Sequence, residues 1–199
     1  MPASNELPQS IRETATALMR WLRASRVEGV VIGGVAVSLL AEPRLTKDVD
    51  AVVWLESSEW ERFLNSGQKH GFVPRYDAPL EFARKNRILL LTHKPTKTDV
   101  DISLGGLQFE REAIDRAISI RLGRATIKLA SPEDLMVMKA VASRPRDWAD
   151  IESLLNSFPN SDLKRVRHWT SEFAAVLEAP EINDDLERIL QRWKDWNAN

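Results

Sequence analysis

The chain has 199 residues, 43% of them apolar and 29% charged, proportions of a soluble globular protein long enough to bury a core without covalent staples. Its 28 lysines and arginines nearly cancel its 29 aspartates and glutamates, so no global positive field draws it to nucleic acid or to an anionic membrane, and any such binding needs a local patch. No cysteine is present, which excludes disulfide scaffolds, thiol nucleophiles and thiolate zinc sites, and three scattered histidines leave carboxylates as the ligands of any metal. The N-terminus lacks an apolar signal-like segment, and the longest nearly uncharged stretch, Gly29 to Ala41, is too short to span a bilayer. The expectation is a soluble, cytoplasmic protein with no membrane partner.

The opening MPASNELP is polar and broken by proline, which predicts a frayed leader; Ile11, Ala15, Leu18, Met19 and Leu22 then recur at helical spacing. Gly29 opens a β-branched run, Val30 to Ile32, that ends in Gly33-Gly34 and passes into an apolar helix from Val35 to Ala41. A β-rich strand over Asp48 to Trp54 follows, then a helix SSEWERFLNSGQKHG with Ser57 as its N-cap and Gly71 as its stop. Arg87 to His93 and Thr98 to Leu104 read as a hairpin turned at Lys94 to Lys97 and ended by Gly105-Gly106. A helix from Phe109 to Ala117 leads to two short strands, Ile118 to Leu122 and Ala125 to Leu129, turned by Gly123-Arg124. Ser131-Pro132-Glu133-Asp134 is a helix start, with serine as N-cap, proline at the first position and acids in the first turn. From there the pattern is helical, broken near Pro145, Pro159 and Pro180, so an α/β part is followed by an all-helical one.

Asp48 and Asp50 are two apart in a strand and share a face, where two bare carboxylates repel each other unless a cation lies between them. Either they ligate a divalent ion or they cap backbone amides in a turn just before the strand. TDVDISL repeats the pattern, with Asp99, Asp101 and Ser103 on one face and Val100, Ile102 and Leu104 on the other. If the two strands are neighbours, three carboxylates converge as Mg²⁺ requires when it holds a nucleotide's phosphates. Periodicity does not choose between Asp99 and Asp101. Gly33-Gly34, between strand and helix, is either a tight turn or an anion cradle of backbone amides; neither GxGxxG nor GxxxxGK[ST] is present. Lys139 lies alone within the apolar LMVMKAVA, so it either snorkels to the surface or reaches an acid or a bound phosphate, and Asp147 and Asp150 share a helix face or cap it.

Together, GGVAVSLLAEPRLTKDVDAVV, KTDVDISL and SPEDLMVMKAVASRPRDWADIESLL resemble the nucleotidyltransferase superfamily of the polymerase-beta-like fold. Gly33 and Gly34, Asp48 and Asp50, and Asp101, which lies between Val100 and Ile102, match its glycine turn, acid pair and third acid. Downstream, Lys139, Asp147 and Asp150 look like the AbiEii-type nucleotidyltransferase toxins of type IV toxin-antitoxin systems. Many superfamily members carry Gly-Ser at the turn, so the hydroxyl such a serine supplies is missing at Gly34.

The resemblance implies an α/β (α+β) fold: a nucleotidyltransferase core with an N-terminal helix and a mixed sheet flanked by helices over 1–130, and a helical C-terminal part over 131–199 packed on it. It implies Mg²⁺-dependent transfer (Mn²⁺ as a substitute) of a nucleoside monophosphate from a nucleoside triphosphate to an acceptor. Asp48, Asp50 and Asp101 would hold metal, and Asp101 would help deprotonate the acceptor. Gly33, Gly34, Arg44, Thr46, Lys139, Asp147 and Asp150 would serve the nucleotide, with Lys139 also neutralising charge during transfer. In related toxins the acceptor can be the end of a tRNA, and a cognate antitoxin restrains the enzyme. The competing expectations are a small-molecule transferase of the aminoglycoside type and a catalytically degenerate nucleotide- or partner-binding module. The basic runs RASR, RLGRATIK and KRVRH are either solvated faces or contacts for an RNA acceptor, and Trp169, Trp193 and Trp196 are expected to pack.

Overall fold

The computed structural model describes residues 7–197, so most of the expected leader lies outside the described residues. These residues divide into two compact units: one runs to Leu39 and resumes at Pro43–Ala130, and the other is Leu40–Glu42 with Ser131 onward.

In the first unit, helix α1 (Gln9–Ser25) buries the stripe Ile11, Ala15, Leu18, Trp21 and Leu22 and ends where Arg26 turns left-handed. The strands are β1 (Glu28–Ile32), β2 (Asp48–Trp54), β3 (Phe72–Pro74), β4 (Ile88–His93), β5 (Thr98–Leu104), β6 (Ile118–Leu122) and β7 (Ala125–Leu129), with helices α2 (Gly33–Leu40), α3 (Trp60–Gly67), α4 (Pro79–Asn86) and α5 (Gln108–Asp115) between them. They form one mixed sheet in the order β3-β4-β5-β2-β1-β7-β6, as expected of the fold class. β2 runs parallel to β5 and β1 to β7, while the remaining neighbours are antiparallel. One face carries Val49, Ala51, Val53, Val100, Ile102 and Leu104, all buried, and this alternation leaves the aspartates of both strands on the other face.

Two elements had no clear sequence signal. β3 has three residues and ends in Pro74, which lacks an N–H and suits only a sheet edge. α4 fully buries only Ala83, so it shows almost no apolar period. Ser57 does not cap a helix: Ser57–Glu59 form a 3-10 turn without a side-chain cap, and α3 begins three residues later, beyond reach of that hydroxyl. α3 also stops at Gly67, and a second 3-10 turn, Gln68–His70, carries the chain to Gly71 at φ 87°.

Beside the β4–β5 turn, His93 is buried against Thr14 and Thr96, whose hydroxyls lie 3.2 and 2.8 Å from its Nδ1. Burial holds the imidazole below its ordinary value, outweighing the opposite pull of Glu13. The unfolded chain therefore takes the proton more readily, so stability is full above about pH 6.5 and declines as pH falls from there through the depressed native value. Thermal melts between about pH 7.5 and 5.5 are expected to show that decline, and His93→Asn to flatten it.

The second unit contains α6 (Pro132–Ala142), α7 (Pro145–Ser157), α8 (Leu163–Val176) and α9 (Glu181–Asn197). Ser131 caps α6, accepting from the Asp134 N–H at 3.2 Å, with Pro132 at the first position. Asp134 is fully buried and accepts from Ser131 Oγ at 2.8 Å and Arg165 Nε at 2.9 Å, which ties α6 to α8. Trp193 donates to Asn156 across α7 and α9, but Trp196 is 82% exposed and does not pack as expected, because it falls on the outward face of the last turn of α9. Among the described residues no helix is long and apolar enough to cross a membrane.

Candidate active site

The parallel register of β2 and β5 sets Asp48 opposite Asp99 and Asp50 opposite Asp101. Adjacent strands lie about 4.8 Å apart, so four carboxylates form two short rows on one face. Asp48 and Asp50 lie within the strand and not in a turn before it. On the far side of β2, Ile32 of β1 pairs with Asp50, and the chain passes directly from Ile32 into α2 at Gly33. Gly33 has φ 64°, and a Cβ there would overlap the Asp50 carboxylate, so the residue must be glycine on both counts. Gly33→Ala is expected to cost about 1–2 kcal/mol in chemical denaturation and to lower transfer through the displaced Asp50.

A Cβ at Gly34 would lie 2.8 Å from Thr46 Oγ1 and 2.9 Å from Arg44 Nη2. The space beside this turn is thus filled by the 43–47 loop, and Thr46 brings a hydroxyl to the place where a side chain at position 34 would begin. Thr46 is buried and donates to the Asp48 carboxylate at 3.1 Å. The loop is anchored by Ser38 Oγ, which donates to the Arg44 carbonyl at 3.1 Å and accepts from the Arg44 N–H at 3.3 Å.

Arg75, just beyond β3, was not singled out by the sequence. Its Nη1 donates to Asp99 at 3.1 Å and its Nη2 to Asp101, while Thr92 Oγ1 donates to the other Asp99 oxygen at 2.9 Å. Asp99, left open by periodicity, is held between Arg75 and Thr92. Burial raises the Asp101 pKa above its ordinary value; Arg75 opposes this, and the charges of Asp48 and Asp99 add to it. No local signal marks Arg75, since β3 places it beside acids 24 and 26 positions away.

Lys139, Asp147 and Asp150 meet in the second unit. Lys139 is 6% exposed, and its Nζ lies 2.7 Å from Asp147 and 2.8 Å from Asp150. It therefore reaches acids and does not snorkel. Asp147 also accepts from the Arg144 N–H at 3.3 Å and from Arg144 Nε at 2.6 Å. Burial pushes the Asp147 pKa up, but the hydrogen bonds from Arg144 and Lys139 outweigh it and leave the carboxyl below its ordinary value.

The model of the AbiEii family, described as nucleotidyl transferase AbiEii toxin of type IV toxin-antitoxin systems, matches residues 16–198. The chain belongs to the AbiEii family. It is therefore a nucleotidyltransferase, using a nucleoside triphosphate. A comparison with curated proteins gives no significant match. Among solved structures, an antigenic nucleotidyltransferase-like protein from Paracoccidioides brasiliensis is similar at 16% identity and TM-score 0.56, over 91% of this chain and 94% of that one. The antibiotic-resistance factor ANT(2'')-Ia is similar at 14% identity and TM-score 0.58, over 87% and 97%. The lincosamide antibiotic adenylyltransferase LnuA is similar at 14% identity and TM-score 0.50, over 75% and 98%. At these identities the likeness concerns the fold.

A divalent cation suits the AbiEii-family chain by donor chemistry. Asp48, Asp50 and Asp101 offer only hard oxygens, and a cation would relieve the mutual repulsion that helps raise the Asp101 pKa. Among the described residues no three acids or histidines are already gathered into a metal-holding group, and Asp101 is engaged by Arg75.

Proposed function

We propose that this AbiEii-family protein transfers a nucleoside monophosphate from a nucleoside triphosphate to a hydroxyl of RNA, tRNA included, in the cytoplasm, and that a cognate antitoxin protein restrains it. The observation that carries the reading is the pairing of Asp50 with Asp101 beside the Gly33 turn. Asp48, Asp50 and Asp101 would hold Mg²⁺ or Mn²⁺. Such an ion, when bound, supplies Lewis-acid activation and offsets charge on the triphosphate. The amides of Gly33 and Gly34, at the start of α2, would serve the phosphates, and the Arg44 guanidinium beside Gly34 would add positive charge. Thr46 keeps Asp48 oriented. Asp101 would also accept the proton of the acceptor hydroxyl. The acceptor oxygen forms a bond to the α-phosphorus as the bond to the pyrophosphate oxygen breaks, and pyrophosphate leaves. Within the second unit, Lys139 would offer an anion only the donor capacity that Asp147 and Asp150 leave.

The test is incubation of pure protein with Mg²⁺, each labelled nucleoside triphosphate in turn and total cellular RNA. Label in RNA supports the reading. Label transferred to an aminoglycoside-type compound and not to RNA would replace it with a small-molecule transferase. Growth arrest on expression, relieved by a neighbouring gene product, supports the toxin role.

A further inference from the structure

We infer that a basic cleft along α1, on the unit that carries the acids, is the docking surface for the acceptor's RNA strand. The inference rests on the RNA-acceptor reading above. A cleft of about 750 Å³ is walled by Arg12 and Arg20 of α1, by Lys69 and His70 before β3, and by the β4–β5 and β6–β7 turns. A second cleft of about 330 Å³ shares Thr16, Arg20 and Leu122 with it and adds Arg23 and Arg124. Arg12, Thr16, Arg20 and Arg23 fall at positions i, i+4, i+8 and i+11, so they form one stripe of the helix. The stripe is about 16 Å long, close to the rise of five stacked nucleotides of one strand.

The charge balance is what points to a polyanion. The whole chain has a net charge of −1, whereas these adjoining clefts present Arg12, Arg20, Arg23, Lys69 and Arg124 against one acid, Glu13. Several arginines outside the clefts are engaged by carboxylates, as in Arg75–Asp99, Arg111–Glu28, Arg165–Asp134 and Arg167–Glu187. Among the described residues Arg20, Arg23, Lys69 and Arg124 make no such pair, and all four are exposed. A row of solvated cations is the footprint of phosphate binding. None of the exposed large apolar side chains, Leu45, Tyr76, Phe82, Leu107, Val176, Leu177 and Trp196, lines either cleft, so the apolar centre that a protein interface uses is missing there. His93 and Pro95 lie where β4 turns into β5, close in sequence to Asp99 and Asp101, but His93 is buried with Leu89 and Leu91 on the face of the sheet opposite those acids, so a strand docked along α1 passes around the strand ends to reach them.

The test measures anisotropy of a fluorescein-labelled single-stranded oligoribonucleotide and competition by bulk tRNA, across a range of salt. The proteins are wild type, Arg20→Glu/Arg23→Glu, Arg20→Lys/Arg23→Lys, and a control reversal of two lysines in the second unit, Lys164→Glu/Lys194→Glu. Arg20→Glu/Arg23→Glu is expected to weaken binding about tenfold or more at low salt and to flatten the dependence of log K on log salt by about 1.5. The lysine pair and the control reversal are expected to bind like wild type. No binding by wild type, or equal isotherms for wild type and Arg20→Glu/Arg23→Glu, overturns the inference, the second outcome placing the RNA elsewhere on the protein. Labelling assays on the same proteins separate the two claims. RNA labelled equally well by Arg20→Glu/Arg23→Glu sinks the cleft and keeps the RNA acceptor. Cleft-dependent binding without RNA labelling sinks the acceptor reading and keeps an RNA-binding cleft.

Discussion

An Asp50→Asn variant is expected to lose nucleotidyl transfer by about a thousandfold or more, as loss of several kcal/mol of charge stabilisation requires, while its unfolding free energy stays within about 1 kcal/mol of wild type. Asp50 pairs with Asp101 in β5 and abuts Gly33, so it sits at the point where the acid rows meet the glycine turn. Asparagine keeps the shape of the side chain but removes the negative charge. Removing a charge from a cluster of four acids relieves repulsion, so the fold has little to lose. Incorporation of label, read beside a thermal melt, decides the matter. Turnover within about tenfold of wild type would reject Asp50 as a metal ligand, because a lost ligand charge costs more than that.

Lys139→Ala is expected to destabilise the protein by about 3–5 kcal/mol, because it leaves Asp147 and Asp150 buried with their shared cation gone. Arg144 remains on Asp147 but is itself largely solvated, so it cannot replace the lysine. The triple variant Lys139→Met/Asp147→Asn/Asp150→Asn removes all three charges and is expected to recover most of that loss. Urea denaturation measures both. Activity of the triple variant then separates two roles for the lysine: if stability returns and transfer does not, the group serves the nucleotide as well as the fold. If Lys139→Ala unfolds with wild-type stability, the ion pair is not what holds α6 to α7.

Much of this architecture could be read from local pattern. Alternation in TDVDISL placed Asp99 and Asp101 on one face, and Ser131-Pro132-Glu133-Asp134 marked the start of α6 because capping is settled within one turn. The Gly33-Gly34 turn was visible because a glycine pair closes a β-branched run, and Gly33 takes φ 64° where a Cβ would also overlap Asp50. β3 and α4 were not visible, since a three-residue edge strand and a helix with one buried alanine leave no period to detect.

The sequence by itself determined which residues alternate, which cap and which break, and it placed acid pairs at the starts of two strands. Those properties depend on backbone preferences and side-chain spacing over a few residues. The tertiary structure decided that β2 and β5 are neighbours in a register that sets Asp50 beside Asp101, that Arg75 rests on Asp99 and Asp101, and that Lys139 is held by Asp147 and Asp150. Strand order and ion-pair partners are settled by which apolar faces pack over the whole core, and no local window contains that information.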